Sequence, residues 1–189
     1  MEKGLAIITG ADGGMGQVIT AALAKEGYPV IMACLDPEKA ASLCNRIQQE
    51  TGNTQIEVRR IDLASLSSVN NFTGQLLKEG RPVSRLMNNA GILTTPVRKT
   101  EDGLETIVSV NYVAPYMLTR QLLPLMQPGC RIVNTVSCTY AIGRIEPDFF
   151  EKGRNGRFFR IPVYSNTKLA LLLFTQELAE RLQNQGITI

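Results

Sequence analysis

Tyr164 and Lys168 stand four residues apart in a sequence of 189 residues that contains no histidine. On a helix this spacing places both side chains on one face. A phenol titrates near ~10 in water, too high for a base at neutral pH. An ammonium beside it favours the phenolate and brings it toward the range where general acid–base catalysis works. On its own the spacing is an ordinary helical one, so its meaning depends on what surrounds it. The missing histidine removes Ser-His-Asp and Cys-His catalysis.

The bulk of the sequence suits one globular domain spanning 1–189: it is 44% hydrophobic, and 20 basic residues balance 17 acidic ones. That balance points to neither a nucleic-acid nor a membrane partner. The apolar run near the N-terminus is too short for a signal peptide or a membrane span. Cys34, Cys44, Cys130 and Cys138 form no CxxC pair, so no metal site is expected, and four thiols without a secretory signal fit the cytoplasm. Short apolar runs alternate with helical patterns along the whole chain. Strands are expected at 5–9, 29–34, 55–62, 84–91 and 130–137, with a sixth starting at 187–189. Helices are expected at 14–27, 37–50, 65–79, 101–126 (bending at Pro115) and 162–185. Non-alternating apolar strands interleaved with helices predict an α/β fold: a three-layer, Rossmann-type doubly wound parallel sheet.

Between the first strand and the first helix lies TGADGGMG, residues 9–16. Gly10 suits a tight turn, Gly14 lets the backbone approach a phosphate, and Gly16 allows close helix packing. The helix N-terminus then offers unpaired N–H groups and a positive dipole end, so the turn, with Asp12 and Met15 in it, fits a dinucleotide pyrophosphate. Asp36 follows Gly16 by 20 residues, where a carboxylate can accept from ribose hydroxyls. It is equally well placed to cap the helix beginning at Pro37, and one residue can do both.

With these pieces placed, the chain resembles the short-chain dehydrogenase/reductase family from residue 4 to its end. TGADGGMG is similar to that family's T-G-x3-G-x-G, Asp62–Leu63 to its adenine-contacting pair, and Asn88-Asn89-Ala90-Gly91 to its fourth-strand motif. Asn111, Ser137, Tyr164 and Lys168 fall at its catalytic tetrad. The 26 residues between Ser137 and Tyr164, and the texture of residues 87–105, look like the retinol dehydrogenase and protochlorophyllide reductase branch. The resemblance implies hydride transfer between NAD or NADP and an alcohol/carbonyl pair. In that scheme Tyr164 is the proton donor and acceptor, and Lys168, with the positive ring of the oxidised nicotinamide, favours its phenolate. Ser137 binds the substrate oxygen, and Asn111 holds a water that links Lys168 to solvent. Gly10, Asp12, Gly14, Met15, Gly16, Leu35, Asp36, Asp62, Leu63, Asn89, Ala90 and Gly91 would hold the cofactor, together with Tyr164 and Lys168. Relatives that use NADP often carry a basic residue where this chain has Gly13 or Leu35, and Asp36 repels a 2′-phosphate. The reading leans to NAD, although Lys39 stays within reach of such a phosphate.

The resemblance admits lipophilic substrates such as retinoids or steroids, and no residue selects among them. Residues 144–162 form an insertion before the Tyr164 helix, holding Phe149, Phe150, Phe158 and Phe159 among five cations. Its phenylalanines read as pins to the body of the domain, or else as a flap over a lipophilic substrate or a contact surface for a partner. Relatives assemble through the helices at 101–126 and 162–185, so a homo-oligomer is expected. They also continue past the point where this chain ends, which implies a truncated sixth strand and absent C-terminal strands. The alternative expectation is therefore a nucleotide-binding protein or fragment without catalysis.

Overall fold

The computed structural model describes residues 3–94, 98–147, 149–150 and 160–189. Five parallel strands form one sheet in the order β3-β2-β1-β4-β5: β1 (Leu5–Thr9), β2 (Val30–Cys34), β3 (Ile56–Arg60), β4 (Val83–Asn88) and β5 (Met126–Asn134). The chain winds outward from β1 to β3, then returns to the other side of β1 for β4 and β5. That reversal creates a switch point between β1 and β4, where sheets of this type bind ligands at the carboxyl ends of their strands.

β1 and β2 are buried along their whole length, as expected of strands covered on both faces. Their side chains divide between two cores. Leu5, Ile7 and Ile31 pack with Phe72, Leu76, Leu118 and Leu122 on one face. Ala6, Ile8 and Met32 pack with Ala24, Tyr28, Ala40 and Ile47 on the other. The outer strand β3 is charged instead: Arg59 pairs with Glu57 and Glu79, and Arg81 with Glu57, which discourages pairing at this sheet edge.

Helices α1 (Gly14–Lys25), α2 (Pro37–Thr51) and α3 (Leu66–Glu79) stand within two residues of their expected bounds. Their ends follow local chemistry. Asp36 and Ser65 cap the starts of α2 and α3, and Gly52 and Gly80 close them in the left-handed conformation at φ 70° and 65°. The long helix expected at 101–126 is shorter and composite. It comprises α4 (Thr106–Val108), a π-helical turn (Ser109–Val113), α5 (Ala114–Leu122) and a 3-10 turn at Leu123–Leu125. Residues 101–105 are a turn: Gly103 sits at φ 76°, Leu104 bonds back to Thr100, and Glu105 caps the helix through Ile107 and Val108 N–H. Met126 belongs to β5, in register with Val83. The local irregularity is the π turn, and Pro115 follows it at the first turn of α5, where proline needs no N–H partner.

Helix α6 (Arg160–Leu182) carries the Tyr164/Lys168 pair and starts two residues before its expected bound. After Gly186, at φ 68°, the expected sixth strand is a single parallel bridge between Thr188 and Arg131. Of the insertion, Phe149 is buried against Ile107, Val108, Val163 and Ala170 and meets Tyr112 edge-on, 5.7 Å between ring centroids. It does pin the segment to the body, whereas Phe150 stays exposed. Phe158 and Phe159 lie outside the described residues.

Candidate active site

The glycine turn is built as its residue types require. Gly10 adopts φ 61° as the chain leaves β1, a conformation open to glycine at no steric cost. A Cβ on Gly16 would lie 2.1 Å from the Gly10 carbonyl oxygen, so only glycine lets α1 come this close. A Cβ on Gly14 would meet nothing within 4 Å: that position faces open space. No side chain caps α1, which leaves its first-turn N–H groups available to an anion.

A groove of about 370 Å³ runs along this turn. Gly10, Asp12, Gly14, Met15, Gly16, Asn89, Ala90 and Gly91 line it together with Gly13 and Ile92. The two halves are clamped by residues on opposite sides of the switch point. The Thr9 hydroxyl accepts from the N–H groups of Asn89 and Ala90, both at 3.1 Å. The Asn89 carboxamide donates to the carbonyls of Thr9 and Gly10 at 3.1 and 3.3 Å, and its own buried oxygen is left without a protein partner. Free N–H groups in the first turn of α1, a turn too tight for any Cβ at Gly16 and an open backbone at Gly14 fit a nucleotide diphosphate, and the unpaired Asn89 oxygen suits a donor such as a ribose hydroxyl. Among the described residues no group of three or more Asp, Glu or Cys could hold a metal.

The expected adenosine end is more dispersed. Asp36 accepts from the Lys39 N–H at 3.3 Å and pairs with the Lys39 ammonium at 2.8 Å. These contacts hold the Asp36 carboxyl below its usual range and the Lys39 ammonium above its own. The lean to NAD presumes an unopposed carboxylate, and here the carboxylate is opposed by a lysine. Leu35 projects into solvent directly after β2, 60% exposed. Leu63 is a core residue at 7% exposure, with its carbonyl accepting from the Ser109 hydroxyl. Asp62 accepts from the Ala64 N–H at 2.9 Å and lines a separate polar cavity of about 620 Å³ with Arg60, Ser65, Arg98 and Lys99.

Lys168 is only 3% exposed, and burial pushes its ammonium below the usual lysine range. Its Nζ donates to the Thr135 carbonyl at 2.7 Å and lies 5.6 Å from the centre of the half-buried Tyr164 ring. The floor of the groove is close by: a Cβ on Gly91 would be 3.4 Å from Lys168 Nζ and 3.5 Å from Asn111 Oδ1. Asn111 sits fully buried in the π turn, and its carboxamide closes on Ile92, accepting from its N–H at 2.8 Å and donating to its carbonyl at 2.9 Å. A third contact, 3.4 Å to the Thr167 hydroxyl, ties it to α6, where Thr167 in turn bonds the Tyr164 carbonyl. Asn111 thus fixes the loop beneath the groove to the helix bearing Tyr164 and Lys168.

Ser137 follows β5 and caps the 3-10 turn Cys138–Ile142, accepting from the Thr139 N–H at 3.4 Å and hydroxyl at 3.1 Å. It acts as an acceptor in both bonds, which leaves its own proton for a further partner. The turn is pressed onto α6. A Cβ on Gly143 would come within 2.6 Å of the Ser165 carbonyl oxygen, and Arg144 N–H donates to Asn166 at 2.7 Å. Thr9, Thr135, Gly143, Asn166 and Thr167 are the site residues that sequence reading passes over. Thr135 acts through its carbonyl and Gly143 through its missing Cβ, while Thr9, Asn166 and Thr167 bond backbone groups through their side chains, and none of these roles is signalled by residue type alone.

A parallel sheet with a glycine turn at its switch point and a Tyr–Lys pair on α6 defines a Rossmann-like fold. Residues 4–147 match the short chain dehydrogenase family model, and the chain belongs to that family. It is 38% identical over 185 residues to human retinol dehydrogenase 11, and 36% identical to human retinol dehydrogenase 13, which puts it in the retinol dehydrogenase branch. Each match covers at least 96% of this chain, yet the chain spans only 57% and 56% of those relatives. Among solved structures, an uncharacterized protein from Mycobacterium Paratuberculosis superposes with a TM-score of 0.85 at 34% identity, over 98% of this chain and 66% of that one. A blue fluorescent protein from a metagenomic library, solved with NADPH, superposes at 0.77 with 27% identity, over 99% of this chain and 72% of that one.

Proposed function

We propose that this chain carries the cofactor groove and the proton-handling pair of an oxidoreductase acting on an alcohol/carbonyl substrate, with NAD or NADP as cofactor. The observation that carries the reading is the buried Lys168, held by Thr135 between the groove floor at Gly91 and the Tyr164 ring. A bound nicotinamide supplies the hydride for reduction or takes it up in oxidation. Tyr164 gives its phenolic proton to the carbonyl oxygen as the carbonyl becomes an alcohol, and takes it back in the reverse direction. Lys168 stabilises the phenolate that remains. An ammonium in a buried site acts on a neighbouring charge far more strongly than one in water. Ser137 donates its unused proton to the substrate oxygen and fixes it opposite Tyr164. The likeness to retinol dehydrogenases supports a lipophilic substrate.

Tyr116 and Leu173, 42% and 49% exposed on α5 and α6, support the further proposal of a homo-oligomer built on these helices. Arg120 and Glu177 flank them with opposite charges, suiting a two-fold contact. Sedimentation should then show a species that Leu173→Glu reduces to monomer. The four unpaired thiols support a reducing compartment such as the cytoplasm. Fluorescence titration with NADH and NADPH, followed by a screen of aldehydes, ketones and quinones, tests the enzyme reading. Turnover that disappears in Tyr164→Phe supports it. Tight binding with no turnover of any carbonyl favours a non-catalytic nucleotide-binding protein.

A further inference from the structure

We propose that Thr175 is a positioning residue for Lys168, acting through Asn134, an inference that rests on the proton-handling reading above. Lys168 and Thr175 stand seven residues apart on α6, two turns along one stripe of the helix. Consecutive residues at the end of β5 hold them. The Thr135 carbonyl takes the Lys168 ammonium at 2.7 Å, and Asn134 Nδ2 donates to the Thr175 hydroxyl at 2.9 Å. The helix is thereby fixed to the sheet at two polar points, one at the proposed proton-handling group and one two turns behind it.

The rear point ends a directed chain of bonds. Asn88, 2% exposed, donates from Nδ2 to Asn134 Oδ1 at 2.7 Å and to the Thr119 hydroxyl at 2.9 Å. Asn134 donates in turn to Thr175, whose hydroxyl gives its proton to the Leu171 carbonyl one turn earlier at 2.6 Å. Asn88 and Asn134 are register partners, and the Thr135 N–H donates to the Asn88 carbonyl at 3.0 Å. One carboxamide, that of Asn134, thus joins α6 to the strand ends that carry the groove residue Asn89 and the lysine anchor Thr135. Around it α6 packs into the core through Leu171, Phe174 and Leu178. Apolar packing is non-directional, whereas a hydrogen bond weakens steeply when its geometry slips. Thr175 therefore sets where α6 lies along β5, and with it the place of Lys168 between the Thr135 carbonyl and the Tyr164 ring. A displacement of about 1 Å at such a group is enough to cost about 10²-fold in rate.

Trace acetylation with acetic anhydride, read at each lysine by mass spectrometry, tests the assignment without requiring turnover. In the wild type Lys168 should label far more slowly than Lys39, whose side chain is 83% exposed. Thr175→Val nearly keeps the side-chain shape and removes the hydroxyl. It should raise Lys168 labelling about tenfold, the opening expected from one lost hydrogen bond, and leave Lys39 unchanged. Thr175→Ser keeps the hydroxyl and should keep Lys168 protected. Thr119→Val removes a bond of the same network on α5 and should also leave Lys168 protected. In carbonyl reduction, Thr175→Val should lower kcat about tenfold at unchanged nucleotide affinity, while Thr175→Ser stays near wild type. The assignment is overturned if Thr175→Val leaves Lys168 protected or leaves kcat unchanged. It is equally overturned if Thr119→Val exposes Lys168 to the same degree, because Thr175 would then serve only general stability. Absence of turnover in the wild type would instead strike down the enzyme reading, and the labelling would still decide whether Thr175 positions Lys168.

Discussion

Two glycines in one turn should respond to the same substitution with opposite signs of stability. At Gly16 a methyl group would fall 2.1 Å from the Gly10 carbonyl oxygen and 2.8 Å from Ala11 Cα, both backbone-bound atoms that cannot rotate away. Relief requires α1 to move off the turn, and overpacking of this kind costs about 1–3 kcal/mol. At Gly14 the same methyl meets nothing, and alanine removes the entropic penalty of glycine in a helix, worth roughly 0.5–1 kcal/mol. Gly16→Ala should therefore lower Tm by about 2–12 °C, and Gly14→Ala should raise it by about 1–4 °C. Nucleotide affinity should fall in both variants, by roughly ten- to hundredfold for Gly14→Ala, because its methyl occupies the space where phosphate approaches the backbone. Thermal melts and nucleotide titrations on the same samples decide the matter. A Gly14→Ala protein that is stabilised and still binds nucleotide normally would refute the placement of phosphate at this turn.

Three further outcomes follow from the packing and charge of the site. Gly143→Ala should destabilise the protein by about 1–3 kcal/mol in urea melts, since its Cβ would press on the Ser165 carbonyl and on Leu169 at 2.6 and 2.9 Å. Asn111→Ala should lose about 2–4 kcal/mol by stranding the N–H and carbonyl of Ile92. Lys168 has a lowered folded-state pKa, so between that value and its unfolded value of 10.5 the unfolded chain binds more protons, and stability rises with pH. Lys168→Met should thus raise the urea midpoint at pH 7, and its advantage should shrink as pH approaches 10. A constant gap across that range would remove the charge-burial explanation.

Much of the fold can be read from local pattern because its rules are local here. The alternation of buried strands with capped helices sets β1, β2, α2 and α3 nearly to the residue, through Asp36, Ser65, Gly52 and Gly80. The reading fails over 101–126, where the apolar Leu-Leu-Pro-Leu-Met run suits helix and strand alike, and only pairing with Val83 assigns Met126 to β5. The π turn around Asn111 has no local signal, since tertiary contacts to Ile92 and Thr167 hold it. At the site, glycine spacing located the groove along the β1–α1 turn because steric limits act on residue type. Leu63 packs in the core, where an apolar residue looks the same to a sequence reading as one beside an adenine. The lean to NAD gains no support from the structure, because Asp36 is paired with Lys39, three residues on, through helix geometry rather than composition.

The central claim is that Tyr164 moves the proton while Lys168 and the groove hold the remaining parts in place. Its most direct test compares wild type and Tyr164→Phe for nucleotide-dependent reduction of a lipophilic aldehyde, with nucleotide affinity measured on the same samples. The account predicts a fall in turnover of about 10²–10⁴-fold with affinity essentially unchanged. Undiminished turnover in Tyr164→Phe would contradict it.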